Sequence, residues 1–152
     1  MQKIVPFLWF NSEAEEAMNY YAAVFPDSKV VSVMRGPDGK VLTGTFRLAG
    51  QEFMALNGGP QFKFTEAISL YVGVETQQEI DELWTKLTAG AGAPSRCGWL
   101  KDKYGLSWQI VPNALGRLLY SDDPARSKRV MDALLQMDKI DLKKLQDAYD
   151  GK

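Results

Sequence analysis

The stretch Cys97-Gly-Trp-Leu-Lys-Asp-Lys-Tyr-Gly-Leu-Ser-Trp-Gln-Ile-Val-Pro112 decides the fold. Two β-rich runs flank Asp102-Lys-Tyr-Gly105, a charged tetrapeptide whose closing glycine suits a hairpin loop built on a type I turn. Side chains alternate along a strand, so Leu106, Trp108 and Ile110 share a core face while Ser107, Gln109 and Val111 share the other. A four-residue turn sets Trp99 opposite Trp108 and brings Arg96 to the side of Gln109. Gln109 is the central functional candidate of the hairpin.

Working outward, the segment Gly50-Gln-Glu-Phe-Met-Ala-Leu56 lies over Gly105-Leu-Ser-Trp-Gln-Ile-Val111, with Phe53 matching Trp108 and Met54 matching Gln109. The echo extends upstream. Residues 3–10 read as a strand with Pro6 near its start, and Ser12 and Glu15 have capping-box spacing for a helix with Ala14, Ala17, Met18, Tyr21 and Phe25 on one face. Pro26 ends that helix. Strands follow at Lys29–Arg35, Val41–Leu48 and Gln51–Asn57. The second copy has a strand at Ala67–Glu75, a helix capped by Thr76 and Glu79 with Ile80, Leu83, Trp84 and Leu87 inward, a linker at Ala89–Pro94, and then the hairpin. The Gly-x-Gly of that linker follows a helix and precedes a strand, the reverse of a dinucleotide loop.

The expected fold class is therefore α+β: two βαβββ modules, about 1–60 and 65–112, forming an open barrel whose sheets enclose a cleft, plus C-terminal helices. Residues 1–120 form the two-module domain and 121–152 a helical extension of it. Asp122 is the expected N-cap of a helix carrying Val130, Met131, Leu134 and Leu135, and a last helix runs from Asp141 with Leu142, Leu145 and Tyr149 on one face. That stripe covers either its own barrel or a second subunit. We expect a homodimer on the second option.

Composition excludes several classes. A formal net charge of −1, with dispersed Lys and Arg, gives no field for nucleic acid. No apolar run approaches the roughly 20 residues of a membrane span, and the single cysteine fits a reducing, cytoplasmic setting. Zero histidines remove Ser-His-Asp and Cys-His catalysis and every imidazole metal ligand.

The paired module, the Phe7-Leu-Trp-Phe10 strand with its acidic helix, Phe53-Met-Ala-Leu-Asn-Gly-Gly-Pro60 and Cys97–Pro112 together resemble the PhnB-like branch of the vicinal-oxygen-chelate, or glyoxalase and bleomycin-resistance, superfamily. This branch often carries the name demethylubiquinone methyltransferase. A doubly wound methyltransferase needs a Gly-rich turn after its first strand, where this chain has Asn11-Ser12-Glu13. In metal-dependent relatives, His and Glu side chains enter the cleft from the first and last strands of each module. The resemblance places Pro6 or Val5, Met54, Ser69 and Gln109 there, so it implies no metal and no cofactor. The ligand-binding candidates are Gln109, Arg96, Ser69, Met54, Asn57, Trp9, Tyr71 and Phe62, with a small molecule as the expected partner. Gln109 is read either as a ligand-orienting amide or as the partner of a neighbouring strand or buried water; Arg96 as an anion clamp or a solvated side chain. Cys97 is read as a nucleophile or a buried thiol, and Asn57 with Gly58-Gly59 as a lid hinge or a simple loop. Trp9, Phe62, Tyr71 and Trp99 line a pocket or fill a core. Whether the chain catalyses anything stays open between a metal-independent binder and a lyase or dioxygenase holding a metal through Glu52 or Glu66.

Overall fold

Each helix of the two modules hides an apolar face against a sheet whose strands alternate in the same sense. The computed structural model describes residues 2–152 and divides into two units, Met1–Phe64 and Thr65–Lys152. In the first, β1 (Phe7–Phe10), α1 (Ala14–Val24), β2 (Lys29–Arg35), β3 (Val41–Leu48) and β4 (Gln51–Asn57) give a sheet ordered β1-β4-β3-β2. Strand β1 runs parallel to β4, and the other pairs are antiparallel. Ala14, Ala17, Met18, Tyr21 and Val24 are the buried face of α1. Beneath them Tyr21 stacks on Phe46 at 6.3 Å and Phe46 on Phe53 at 5.3 Å.

The second unit repeats this plan. Its elements β5 (Ser69–Val74), α2 (Gln77–Leu87), β6 (Ala93–Pro94), β7 (Trp99–Lys101) and β8 (Ser107–Pro112) form a sheet ordered β5-β8-β7-β6, again with first and last strands parallel. The internal echo holds in three dimensions: Phe53 and Trp108 are both buried, whereas Met54 and Gln109 are half-buried on the opposite faces. Ile80 and Leu87 anchor α2 fully, with Leu83 and Trp84 half-buried. The Thr76 hydroxyl accepts the Glu79 amide at 3.2 Å, the cap its spacing implies.

Three expectations are corrected. First, Trp99 stands opposite Gln109, Leu100 opposite Trp108 and Lys101 opposite Ser107, so the hairpin is one residue out from a four-residue turn. The reason is Asp102, which is 1% exposed and pairs back to Leu106 (amide to carbonyl, 2.9 Å), leaving a three-residue loop. Second, the Ser12–Glu15 capping box does not form. Glu13 is the N-cap residue, Asn57 Oδ1 accepts the Ala14 amide at 2.8 Å, and Glu15 turns to Arg35 at 2.6 Å. Third, Asp123 rather than Asp122 caps the helix beginning at Pro124. Strand β1 is also shorter than residues 3–10, starting only after Pro6.

Helices α3 (Ala114–Leu119), α4 (Pro124–Leu134) and α5 (Leu142–Asp150) belong to the second unit. Their apolar stripe resolves to the first of its two readings. Val130, Leu134, Met137, Ile140 and Leu145 pack with Leu115, Leu118 and Val111, the last from β8, so the helices close over their own unit. Met131 and Leu135, at 42% and 48% exposure, stay out of it, and Leu142 is half-buried.

A buried carboxylate is stable only when its lone pairs are filled. The Asp102 oxygens accept the amides of Tyr104 (2.9 Å) and Leu106 (3.1 Å) and the indole N–H of Trp108 (2.9 Å). Asp102→Ala leaves those donors stranded, and we expect it to cost about 3 kcal/mol in urea unfolding, with Asp102→Asn costing less because it keeps one acceptor.

Candidate functional site

Two cross-strand rows on the β5-β8-β7 sheet bring most of the second unit's candidates together. In one, Tyr71, Gln109 and Trp99 are in register; in the next, Ser69, Ser107 and Lys101 are. Residues in register project to one face, here the face away from Trp108 and Ile110. Gln109 Nε2 donates to Ser69 Oγ at 2.9 Å, linking the rows. Ser107 is 1% exposed, and its Oγ has no hydrogen-bond partner. Tyr71 is 61% exposed. The face thus offers an amide, two serine hydroxyls and two aromatic rings, one of them a phenol.

Its charges are already matched. Lys101 forms an ion pair with Glu66, which holds the Glu66 carboxyl below the ordinary carboxylate range. Arg96 is not on the face. It lies in the loop before β7, exposed, with its guanidinium donating to the Leu135 carbonyl at 3.4 Å, because the strand begins only at Trp99. Cys97 in the same loop is half-buried at φ 60°, its thiol 3.6 Å from the Leu134 carbonyl.

The first unit carries a drier counterpart. Met54 is in register with Phe7 and Thr45, and Trp9 with Leu56. The Trp9 indole N–H donates to the Gly59 carbonyl at 3.0 Å, and the ring meets Phe62 edge-on at 4.9 Å. A Cβ at Gly58 would lie 2.2 Å from that indole, so glycine is what lets the loop pass beneath it. Asn57 belongs to the other face: Oδ1 caps α1 and Nδ2 donates to the Val41 carbonyl at 3.0 Å. Gly58 and Gly59 continue the ladder, donating to the Phe10 and Asn11 carbonyls at 2.9 and 3.2 Å. Their role is to hold the loop. A hollow of about 630 Å³ near Asn11 and Lys40 includes Arg35, whose guanidinium is filled by Glu15 and the Gly39 carbonyl.

A family model described as 3-demethylubiquinone-9 3-methyltransferase matches residues 2–111. The chain belongs to this family. It is 43% identical to the PhnB protein of Bacillus cereus, whose description carries the same methyltransferase name, over 73% of this chain and 99% of that one (TM-score 0.69). Two more distant structures share the fold. One is a glyoxalase/bleomycin resistance protein from Albidiferax ferrireducens T118 (12% identity, 74% and 99% covered, TM-score 0.51). The other is a glyoxylase/bleomycin resistance protein/dioxygenase domain from Frankia sp. EAN1pec (15% identity, 74% and 92% covered, TM-score 0.50). No curated protein matches the chain. The fold is thus the glyoxalase-like one that the doubled module implied.

The family name implies a methyl-donor cofactor, and the residues present do not fit the usual cradle for one. That cradle is a glycine turn between a strand and helix of a doubly wound parallel sheet. Here β1 leads through Asn11-Ser12-Glu13 into α1, and each sheet holds a single parallel pair. The fold's metal positions fare no better. Val5, Pro6, Met54, Ser69 and Gln109 offer one hydroxyl and one amide, and no three Cys, Asp or Glu side chains converge among the described residues.

Of the two carboxylates considered as substitutes, Glu66 is taken by Lys101, and Glu52 is 6% exposed and clamped by its own unit. Glu52 Oε2 accepts the Gln2 amide at 3.0 Å and Oε1 the Arg47 guanidinium at 3.0 Å. The Gln2 amide, then Arg47, holds its carboxyl below the ordinary value of 4.5. A lowered folded pKa stabilises the fold above the unfolded value, and the effect is lost as pH falls through the folded one. Glu52→Gln should therefore lower the melting temperature at pH 7, and the gap to the parent protein should close progressively once pH drops below 4.5.

The features that composition and spacing did not reveal are Asp102, Ser107 and the Lys101–Glu66 pair. Ser107 was within reach, since it alternates with Gln109 on one strand.

Proposed function

We propose that this protein binds a small molecule without a metal, on the Gln109 face of its second unit. One observation carries the reading: a half-buried amide tied to Ser69, next to a buried Ser107 hydroxyl with no partner of its own. Buried polar groups are ordinarily satisfied, so an orphan hydroxyl beside an orienting amide is where a ligand's polar atom would complete the set. Met54, Trp9 and Phe62 form a separate apolar face on the first unit. Asn57 and Arg96 do not belong to this reading, since each is committed elsewhere. No reaction is assigned. The lone, unpaired Cys97 supports a reducing, cytoplasmic setting.

Titration of the intrinsic tryptophan fluorescence against a panel of amphiphilic metabolites should give saturable changes that Gln109→Leu weakens by about ten-fold, the loss of one hydrogen bond in a desolvated place. Silence across the panel overturns the reading. Elemental analysis of protein purified without chelator should find no stoichiometric metal; a bound ion lost in Glu52→Gln or Glu66→Gln would overturn the metal-independent reading and leave the metal-dependent lyase or dioxygenase alternative to be tested by activity.

We also propose a homodimer. With the C-terminal stripe covered, its support moves to β2, an edge strand carrying Val31, Val33 and Met34 at 48%, 38% and 58% exposure. Long apolar edges are normally paired or protected. Light scattering should give twice the mass of one chain, and Val33→Lys should return it to one; a monomeric parent protein sinks the proposal.

A further inference from the structure

We infer that the Gln109 face takes a planar, uncharged aromatic compound bearing a carbonyl, carboxamide or hydroxyl group on its edge. The inference rests on the small-molecule reading above and adds the ligand's chemistry. Its geometry is the row in which Tyr71, Gln109 and Trp99 are in register on three adjacent strands, β5, β8 and β7. Neighbouring strands are about 4.8 Å apart, so the two rings stand on either side of the amide at a separation of two strand spacings. A flat ring laid along this row meets an aromatic partner at both ends and an amide at its centre. Tyr71 is available for that contact at 61% exposure. Aromatic pairs favour offset or edge-to-face contact, which a saturated ring of the same size cannot reproduce.

The polar complement fixes the ligand's edge. Gln109 spends one N–H on Ser69. Its carbonyl oxygen remains an acceptor, and Ser107 Oγ remains both donor and acceptor. A neutral group able to donate and accept matches that pair. An anion does not match. Lys101, the cation on these rows, is already paired with Glu66, and Arg96 is held by the Leu135 carbonyl, so a carboxylate would be desolvated with no cation to receive it.

The test uses the full chain and three small probes in ligand-observed NMR titrations: benzamide, cyclohexanecarboxamide and benzoate. Benzamide should bind about five-fold more tightly than the saturated amide, from the aromatic contacts alone. Benzoate should bind more weakly than either. Tyr71→Ala should weaken benzamide more than the saturated amide and so remove the preference, and Tyr71→Phe should restore it; the exposure of Tyr71 makes both variants safe for folding, which circular dichroism checks. Equal binding of the two amides, tightest binding of benzoate, or a Tyr71→Ala variant that keeps the preference overturns the inference. If aromatic probes are silent while other metabolites bind in a Gln109-dependent way, the aromatic class is wrong and the binding function stands. If the whole panel is silent, both fall.

Discussion

A single buried carboxylate governs the hairpin on which the candidate site is built. Asp102 gathers two amides of its own loop and the indole of Trp108, and in doing so fixes how many residues the loop contains. Because side chains alternate, a shift of one residue between β7 and β8 would turn Trp99 away from Gln109. The Tyr71–Gln109–Trp99 row therefore depends on a residue that is not on it. The polar group is tolerated in the interior because each oxygen is met by donors in fixed directions, a situation that favours one register over its neighbours.

The architecture was legible because the chain states it twice. A strand, a capped helix and three strands recur with matching apolar positions, and Phe53 with Trp108 and Met54 with Gln109 fall on equivalent faces as the alignment implied. What could not be read was decided by partners distant in sequence. Asp102 looks like a solvated turn residue until the Trp108 indole is placed next to it. Ser12 and Glu15 have the right spacing for a cap, but Arg35 competes for the glutamate and Asn57, 43 residues away, supplies the cap instead. The stripe on α4 and α5 was visible, whereas its cover required Met137 and Ile140 in the connection between them to fold inward beside Val111.

The site was partly legible for the same reason. Gln109, Ser69 and Tyr71 share a face because strand alternation and the repeat place them there, and both are sequence properties. Arg96 was misplaced because its position was inferred from the loop length that Asp102 changes. Asn57 sits at a strand end next to glycines, a pattern common to hinges and caps alike, and only the Ala14 amide distinguishes them. Ser107 illustrates the opposite case: its face was evident, but the absence of a partner is a property of the folded interior.

The C-terminal helices are fastened to the rest of their unit in an unusual place. At the tip of the β6–β7 hairpin, Cys97 and Gly98 lie at φ 60° and 87°, and their amides donate to the consecutive carbonyls of Met137 and Asp138, both at 2.8 Å. Gly98 has no room for a side chain, since a Cβ there would stand 2.8 Å from Ile140 and 2.9 Å from the Ile110 carbonyl. The family match ends at Val111, so a segment outside the shared domain completes the hydrogen bonding of a turn inside it. A chain ending after β8 would have to satisfy those two amides with water or a different loop, although the Ile110 carbonyl and the positive φ would still select glycine at position 98. The extension and a loop that offers it both amides are thus expected to be gained or lost together among related chains, a linkage that inheritance of the shared domain alone would not produce.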